Sequence, residues 1–356
     1  MDKISHRFLL VNGLKLHVAD IGLESSPAVI FLHGFPEIWY TWRHQMIAVA
    51  NAGFRAIAPD FRGYGLSDSP AEPEKASYDD FVNDVVSILD SLNISKVFVI
   101  AKDFGTWVAY SFVLLHPEKI AGIITLGMAF MPPAAYKPDF TLPEGFYVRR
   151  WQEPGRAEAD FGRFDVKTVV RNIYILFSKS EIPIASGNQE IMDLVKPSNP
   201  LPSWFTEEDL ATYAALYEKS GFRTALQVPY RSSHLNLGST QQVPEVEAPT
   251  MVIMGDEDYV LKIPGMDEYI RSGEVKKYVP DLETIYVPHG SHFVHEQFPD
   301  HVNQLILTFL ARYKHRTTIN RVNQEMEAAE HDYDLNRAVG LKYGTILTLQ
   351  CQLEVR

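Results

Sequence analysis

Asp103 stands midway between two small residues at the end of an apolar run; residues 97–107 read VFVIAKDFGTW. A sharp strand-to-helix turn that exposes a nucleophile needs small residues two before and two after it, because larger side chains would collide there. Ala101 and Gly105 meet that need. An aspartate ahead of a helix is also a common N-cap, so the position alone leaves both readings open. As a nucleophile, Asp103 would sit where helix N–H groups and the helix dipole favour a carboxylate. An ionised carboxylate needs no base. It can attack an electrophilic sp³ carbon directly and form an ester.

Such an ester must then be hydrolysed, which calls for a histidine and an acid to orient it. Residues 250–254 (TMVIM) and 283–287 (ETIYV) read as late strands. Asp256 and Asp258 follow the first; His289, His292 and His295 follow the second. Nucleophile, acid and histidine therefore occur in the chain order expected around a nucleophile turn, and that order favours the nucleophile reading of Asp103 over the cap reading. These residues by themselves leave two aspartates and three histidines in competition. Near the N-terminus, residues 33–37 read HGFPE. There the N–H of Phe35, with that of Phe104 after the nucleophile, would supply the two donors of an oxyanion hole.

The elements that must position these residues form a recognisable pattern. Apolar runs at 15–21, 28–32, 55–59, 96–100 and 122–127 alternate with helical stretches such as 107–116. Continuous apolar strands between helices belong to a buried parallel sheet, so the fold class is α/β, doubly wound. From 131 to 246 the alternation stops; helical segments at 164–177 and 206–219 remain, the second opening on the capping sequence Thr-Glu-Glu-Asp. This reads as a helical cap of 131–246 inserted into a core of 1–130 and 247–315, the core closing with a helix over 300–313. Residues 316–356 stand outside the plan. There 317–335 is polar and weakly helical, and 343–353 is apolar and β-like.

Bulk properties exclude several classes. The net charge of −12 over 356 residues repels phosphate backbones and anionic membranes. The one cysteine, Cys351, cannot form an intrachain disulfide or a multi-cysteine metal site, and it suits a reducing compartment. No signal-like apolar region opens the chain, no run is long enough to span a bilayer, and the last residues are not a peroxisomal address. A cytoplasmic monomer or homodimer is expected, without nucleic-acid or membrane partners.

The quoted motifs together resemble the soluble epoxide hydrolases of the α/β-hydrolase superfamily, and their plant-type branch most. The resemblance is carried by HGFPEIWYTWRHQM (33–46), APDFRGYGLSD (58–68), AKDFG (101–105), GDEDYV (255–260) and GSHFVHEQFP (290–299), with VNGLKLHVADIG (11–22) at the start. It runs to about residue 314. It implies an α/β-hydrolase fold with a mostly parallel sheet and a helical cap. It also implies Asp258 as the acid, His292 as the base and no cofactor or metal.

The resemblance further implies two cap tyrosines that hold the epoxide oxygen. Tyr147 in YVRRWQEPG and Tyr230 in VPYRSS stand in such contexts. Trp39, Trp42, Phe104 and Trp151 are candidate pocket walls. Two departures stand out: Lys102 precedes the nucleophile where the family commonly has histidine, and Phe104 follows it where tryptophan is common. The expected reaction converts apolar epoxides, of fatty-acid or terpenoid type, to vicinal diols. The rival readings are a haloalkane or haloacid dehalogenase using the same three residues, and a non-catalytic ligand-binding member of the fold.

Overall fold

The computed structural model describes residues 3–132, 142–232, 245–314 and 340–346. Eight strands form one sheet: β1 (Ser5–Val11), β2 (Leu14–Ile21), β3 (Ala28–Leu32), β4 (Arg55–Pro59), β5 (Val97–Lys102), β6 (Ile120–Leu126), β7 (Thr250–Gly255) and β8 (Leu282–Val287). Their order is β1-β2-β4-β3-β5-β6-β7-β8. β2 runs antiparallel to β1 and β4, and every later pairing is parallel. β3, β4, β5 and β7 are buried at every position, which explains their mostly apolar sequences, with Arg55 and Lys102 as charged exceptions at strand ends. β1, by contrast, is an edge strand with alternating exposure. Its half-polar sequence hides it from a search for apolar runs.

Helices α1 (Arg43–Asn51), α2 (Tyr78–Ser91) and α3 (Gly105–Leu115) connect the first strands. α2, which apolar runs leave unassigned, opens on a capping box: Ser77 Oγ accepts from the Asp80 N–H and Asp80 Oδ2 accepts from the Ser77 N–H. Between β6 and β7 lie α4 (Tyr147–Gln152), α5 (Arg156–Phe161), α6 (Val166–Phe177), α7 (Glu207–Ser220) and α8 (Arg223–Tyr230). Among the described residues this stretch carries no strand, only an isolated bridge between Phe146 and Ile184. α7 starts where its sequence predicts, with Thr206 and Asp209 forming the capping box. After β7 come α9 (Met266–Arg271), β8 and the short α10 (Val294–Gln297).

The chain divides into two compact units, Met1–Asn303 and Gln304–Arg356. Residues 299–314 are helical, close to the expected 300–313. In the second unit, Gly340–Ile346 forms a π-helical turn, so the β-like reading of 343–353 is corrected over 343–346. A one-residue-wider turn tolerates the same apolar residues that read as a strand. The rest of that stretch, the polar stretch 317–335 and Cys351 lie outside the described residues. No helix among the described residues is long and apolar enough to cross a membrane.

Candidate active site

The turn after β5 holds Asp103 with φ at 51°. A left-handed backbone is uncommon for a residue other than glycine, and it persists here because the surroundings bind it from both sides. The Asp103 N–H donates to the Leu126 carbonyl at 3.2 Å, and the Asp103 carbonyl accepts from the Thr106 N–H and hydroxyl at 3.0 and 2.7 Å. α3 can approach this closely because Gly105 has no side chain: a Cβ there would lie 2.3 Å from the His33 carbonyl oxygen. The N-cap position of α3 belongs to Phe104, without a side-chain cap bond. The helix-cap reading of Asp103 therefore fails on geometry. Its carboxylate faces elsewhere.

That carboxylate is gripped on one oxygen and addressed on the other. Oδ1 accepts the Phe35 N–H at 3.1 Å, and the Phe104 N–H also donates to the carboxylate. Oδ2 lies 3.4 Å from His292 Nε2. The other ring nitrogen of His292, Nδ1, is 3.1 and 3.0 Å from Asp258 Oδ1 and Oδ2. Asp258 is wholly buried and its Oδ1 also accepts the Val260 N–H at 2.9 Å, which locks the acid at the start of the turn after β7. The alternatives drop out by position. Asp256 is exposed and accepts the His289 N–H, His289 is exposed beside Glu257, and His295 bonds Thr41 within the core.

Charge follows from these contacts. Burial would raise the Asp103 pKa, but His292, Lys102 and the Phe104 N–H bring it down to about 2. Burial would lower that of His292, yet Asp258 and Asp103 carry it up to about 9, against the opposing charge of Lys102. The resting pair at neutral pH is thus a carboxylate facing an imidazolium. The strap over Asp103 is anchored by His33, which burial lowers to about 4 and keeps neutral. Its Nε2 accepts the Phe61 N–H at 3.1 Å, so Nδ1 donates to the Gly34 carbonyl at 2.9 Å. The Phe35–Pro36 peptide in this strap is cis.

Asp103 opens onto a cavity of ≈ 350 Å³. The sheet side contributes Phe104 and Trp107, the loop after β6 gives Met128 and Met131, and the cap contributes Phe146, Tyr147 and Tyr230. The Tyr147 and Tyr230 rings stand 6.1 Å apart, near perpendicular. Burial raises the Tyr230 phenol well above its ordinary value, with Tyr147 and Asp103 adding to the effect. Each tyrosine is seated by an arginine close in sequence. Arg150 donates to the Ala185, Ser186 and Gln189 carbonyls. Arg231 donates to the Trp151 carbonyl at 2.9 Å and grips both oxygens of Glu158. Apart from its phenols, Asp103 is the only ionisable side chain among the described lining residues.

The tryptophan expectations are corrected in part. Trp39 lies outside this cavity, packed on His6 and His17 and lining a separate groove with Leu66 and Leu216. Trp42 is wholly buried between Phe31 and His295. Trp151 stands behind the wall, its ring 5.0 Å from Tyr147, 5.2 Å from Tyr230 and 5.8 Å from Phe35. Core packing takes Trp42 and Trp151, and Trp39 faces the other groove.

Sequence reading missed Tyr259. Its hydroxyl is 2.9 Å from that of Tyr147, and its ring is 5.0 Å from His292. It follows Asp258 on the turn Tyr259–Lys262, and the path from that turn to the start of α9 also delivers Val260, Ile263 and Met266 to the cavity. The signal was adjacency: once Asp258 is the acid, the next turn must face the same space. A buried group behind the strap, Glu37 with His295 and Glu296, has three ligand-type atoms close together. Thr41 Oγ1 bridges all three, and Arg43 and Lys102 already supply two positive charges. This donor set is a closed ion network and does not fit a metal ion.

Comparison with known proteins agrees with this architecture. A family profile described as alpha/beta hydrolase fold matches residues 27–299. "Epoxide hydrolase 1" of Siraitia grosvenorii is 39% identical over 321 residues, which cover 88% of this chain and 100% of that protein. A solved mutant structure of the Vigna radiata epoxide hydrolase superimposes with a TM-score of 0.81 at 34% identity, covering 88% of this chain and 100% of that one. The structure of potato (Solanum tuberosum) epoxide hydrolase I gives 0.78 at 35% identity over 87% of this chain and 100% of that one.

Proposed function

The chain belongs to the alpha/beta-hydrolase-fold family and, within it, to the plant-type epoxide hydrolases, and on that premise we propose that it opens apolar epoxides to vicinal diols through an ester on Asp103. The observation that carries this reading is the double address of one carboxylate. Asp103 Oδ1 accepts the Phe35 N–H, the Phe104 N–H also donates to the carboxylate, Oδ2 faces His292, and the whole group opens toward the cap phenols.

In the first step Asp103 Oδ2 attacks an epoxide carbon, and the C–O bond to the ring oxygen breaks. Tyr147 and Tyr230 donate to that oxygen as it becomes an alkoxide; their phenols are protonated at neutral pH. The alkoxide must gain one proton. Ester formation also removes the negative charge that helps hold the proton on His292, so His292 releases one. The two changes balance through solvent. Neutral His292 Nε2 then takes a proton from water, and the water oxygen attacks the ester carbonyl. The tetrahedral oxyanion keeps the Phe35 and Phe104 donors; on collapse the Cγ–Oδ2 ester bond breaks, the hydroxyl added from water passes its proton to the departing oxygen, and the Asp103 carboxylate and the diol result. Asp258 holds the imidazole tautomer throughout.

In this reading residues 131–246 act as a lid over a core of 1–130 and 247–315. The apolar lining suits fatty-acid or terpenoid epoxides. A single cysteine suits a reducing compartment such as the cytosol.

The test is direct. The parent protein incubated with trans-stilbene oxide is expected to yield diol, and Asp103→Asn none. His292→Gln is expected to accumulate one equivalent of ester, read by mass spectrometry on the peptide carrying Asp103. No turnover by the parent across a panel of epoxides would remove the reading.

A further inference from the structure

Lys102 ends β5 with its side chain wholly buried, and its ammonium has no hydrogen-bond partner among the described residues. It stands 4.0 Å from Glu37 Oε1 and 5.3 Å from the centre of the Phe293 ring. A lone buried ammonium is costly, so its placement beside a carboxylate at the back of the site asks for a reason. Glu37 is itself wholly buried. Its Oε2 accepts the Gly34 N–H at 3.1 Å, one residue before the Phe35 donor, and its Oε1 accepts Thr41 Oγ1 at 3.3 Å and lies 3.5 Å from His295 Nε2. A Cβ added to Gly34 would lie 2.7 Å from Asp103 Oδ1 and 2.9 Å from Glu37 Oε2, so only glycine lets the strap pass between the two carboxylates.

We propose that Lys102 is a positioning residue for the hydrolytic half-reaction: its buried ammonium holds the Glu37 side chain against the Gly34–Phe35 strap and opposes the return of a proton to His292. The inference rests on the ester reading of Asp103 above.

The other charges around the pair are already committed. Arg43 is bound to Glu296 and Asp209; Glu296 also accepts from Thr41, Tyr174 and Tyr213; and burial holds His295 neutral. Asp258 serves His292. Lys102 is therefore the cation left to Glu37. Burial raises the Glu37 pKa to about 7 even with Lys102 opposing it, so without Lys102 the acid would take up a proton at neutral pH. The same ammonium works against a proton on His292, after burial itself. When the ester forms, the Asp103 charge disappears and Asp258 alone holds that proton, so the weight of Lys102 grows in the intermediate that must be hydrolysed.

The experiment measures single-turnover ester formation and ester hydrolysis separately, across pH, in the parent, Lys102→Met, Glu37→Gln and the double variant. Removing a positive charge strengthens the hold of His292 on its proton. Lys102→Met is therefore expected to move the acid limb of hydrolysis to higher pH, slowing it roughly three- to tenfold below the limb and sparing ester formation. Glu37→Gln leaves Lys102 unopposed and is expected to move the limb to lower pH. The double variant is expected to match Lys102→Met, in which Glu37 is already neutral, and it serves in its place if Lys102→Met fails to fold. Shifts of the same sign, or an unmoved limb in either Glu37→Gln or a folded Lys102→Met, overturn the inference. A parent that forms no ester removes the reading beneath it instead.

Discussion

In the proposed mechanism Tyr147 holds a developing alkoxide, and its hydroxyl already has a partner in Tyr259 at 2.9 Å. Burial lifts the Tyr259 phenol well above its ordinary value, with Tyr147 and Asp103 adding to the effect, so the Tyr259 hydroxyl does not ionise in the working range. One of the two must donate to the other, and that bond decides which proton is left to face the epoxide. Tyr147→Phe is expected to slow ester formation about 10- to 100-fold, because a hydrogen bond realised at the transition state is lost. Tyr259→Phe is expected to slow it only about three- to tenfold, because it disturbs orientation and leaves the donor. Trp107 lines the cavity, so stopped-flow tryptophan fluorescence can follow the step. A parental rate in Tyr147→Phe would remove that tyrosine from its role.

At the scale of elements, the site depends on how the cap helices are seated. Tyr230 ends α8, and its neighbour Arg231 ties that end to α4 through the Trp151 carbonyl and to α5 through Glu158. The hydrogen bond from Arg231 brings the Glu158 pKa down, against burial. Arg231→Ala leaves Glu158 half-buried without its cation and frees the end of α8. The expected outcome is about 1–3 kcal/mol lower stability in urea unfolding, together with ester formation five- to fiftyfold slower. A stability loss with an unchanged rate would make Arg231 a brace for the cap and nothing more. The elbow shows the same logic in the core. The φ of Asp103 is held because β6 supplies the Leu126 carbonyl on one side and Gly105 admits the His33 carbonyl on the other.

For the molecule as a whole, the charge pattern sets an expectation for the proposed substrate. The net charge is −12, and among the described lining residues the cavity holds Asp103 with no lysine or arginine. A carboxylate drawn into that space would lose its water and gain no cation. A neutral methyl ester of an epoxide-bearing acid is therefore expected to exceed the free acid about tenfold or more in kcat/KM, when the chain is short enough for both groups to enter. Preference for the free acid would contradict the apolar assignment. The same absence of a cation argues against the haloacid reading, whose substrate needs its carboxylate held.

Much of this site is local in sequence, and for that reason it is legible there. Ala101, Asp103 and Gly105 are a steric requirement of one tight turn, written within five consecutive positions. The central parallel strands are mostly apolar because both faces are buried, so β3 and β4 coincide with the runs 28–32 and 55–59. Contacts between distant segments are another matter. Which aspartate meets which histidine, that Trp39 turns away from the cavity while Tyr259 turns toward it, and that Lys102 rests against Glu37 all depend on how strands far apart in sequence come to lie side by side. Residue types are a property of the chain. Distances of 3–4 Å between such residues exist only once β3, β5, β7 and β8 share one sheet, and those distances are what turn an aspartate after a strand into a held and aimed carboxylate.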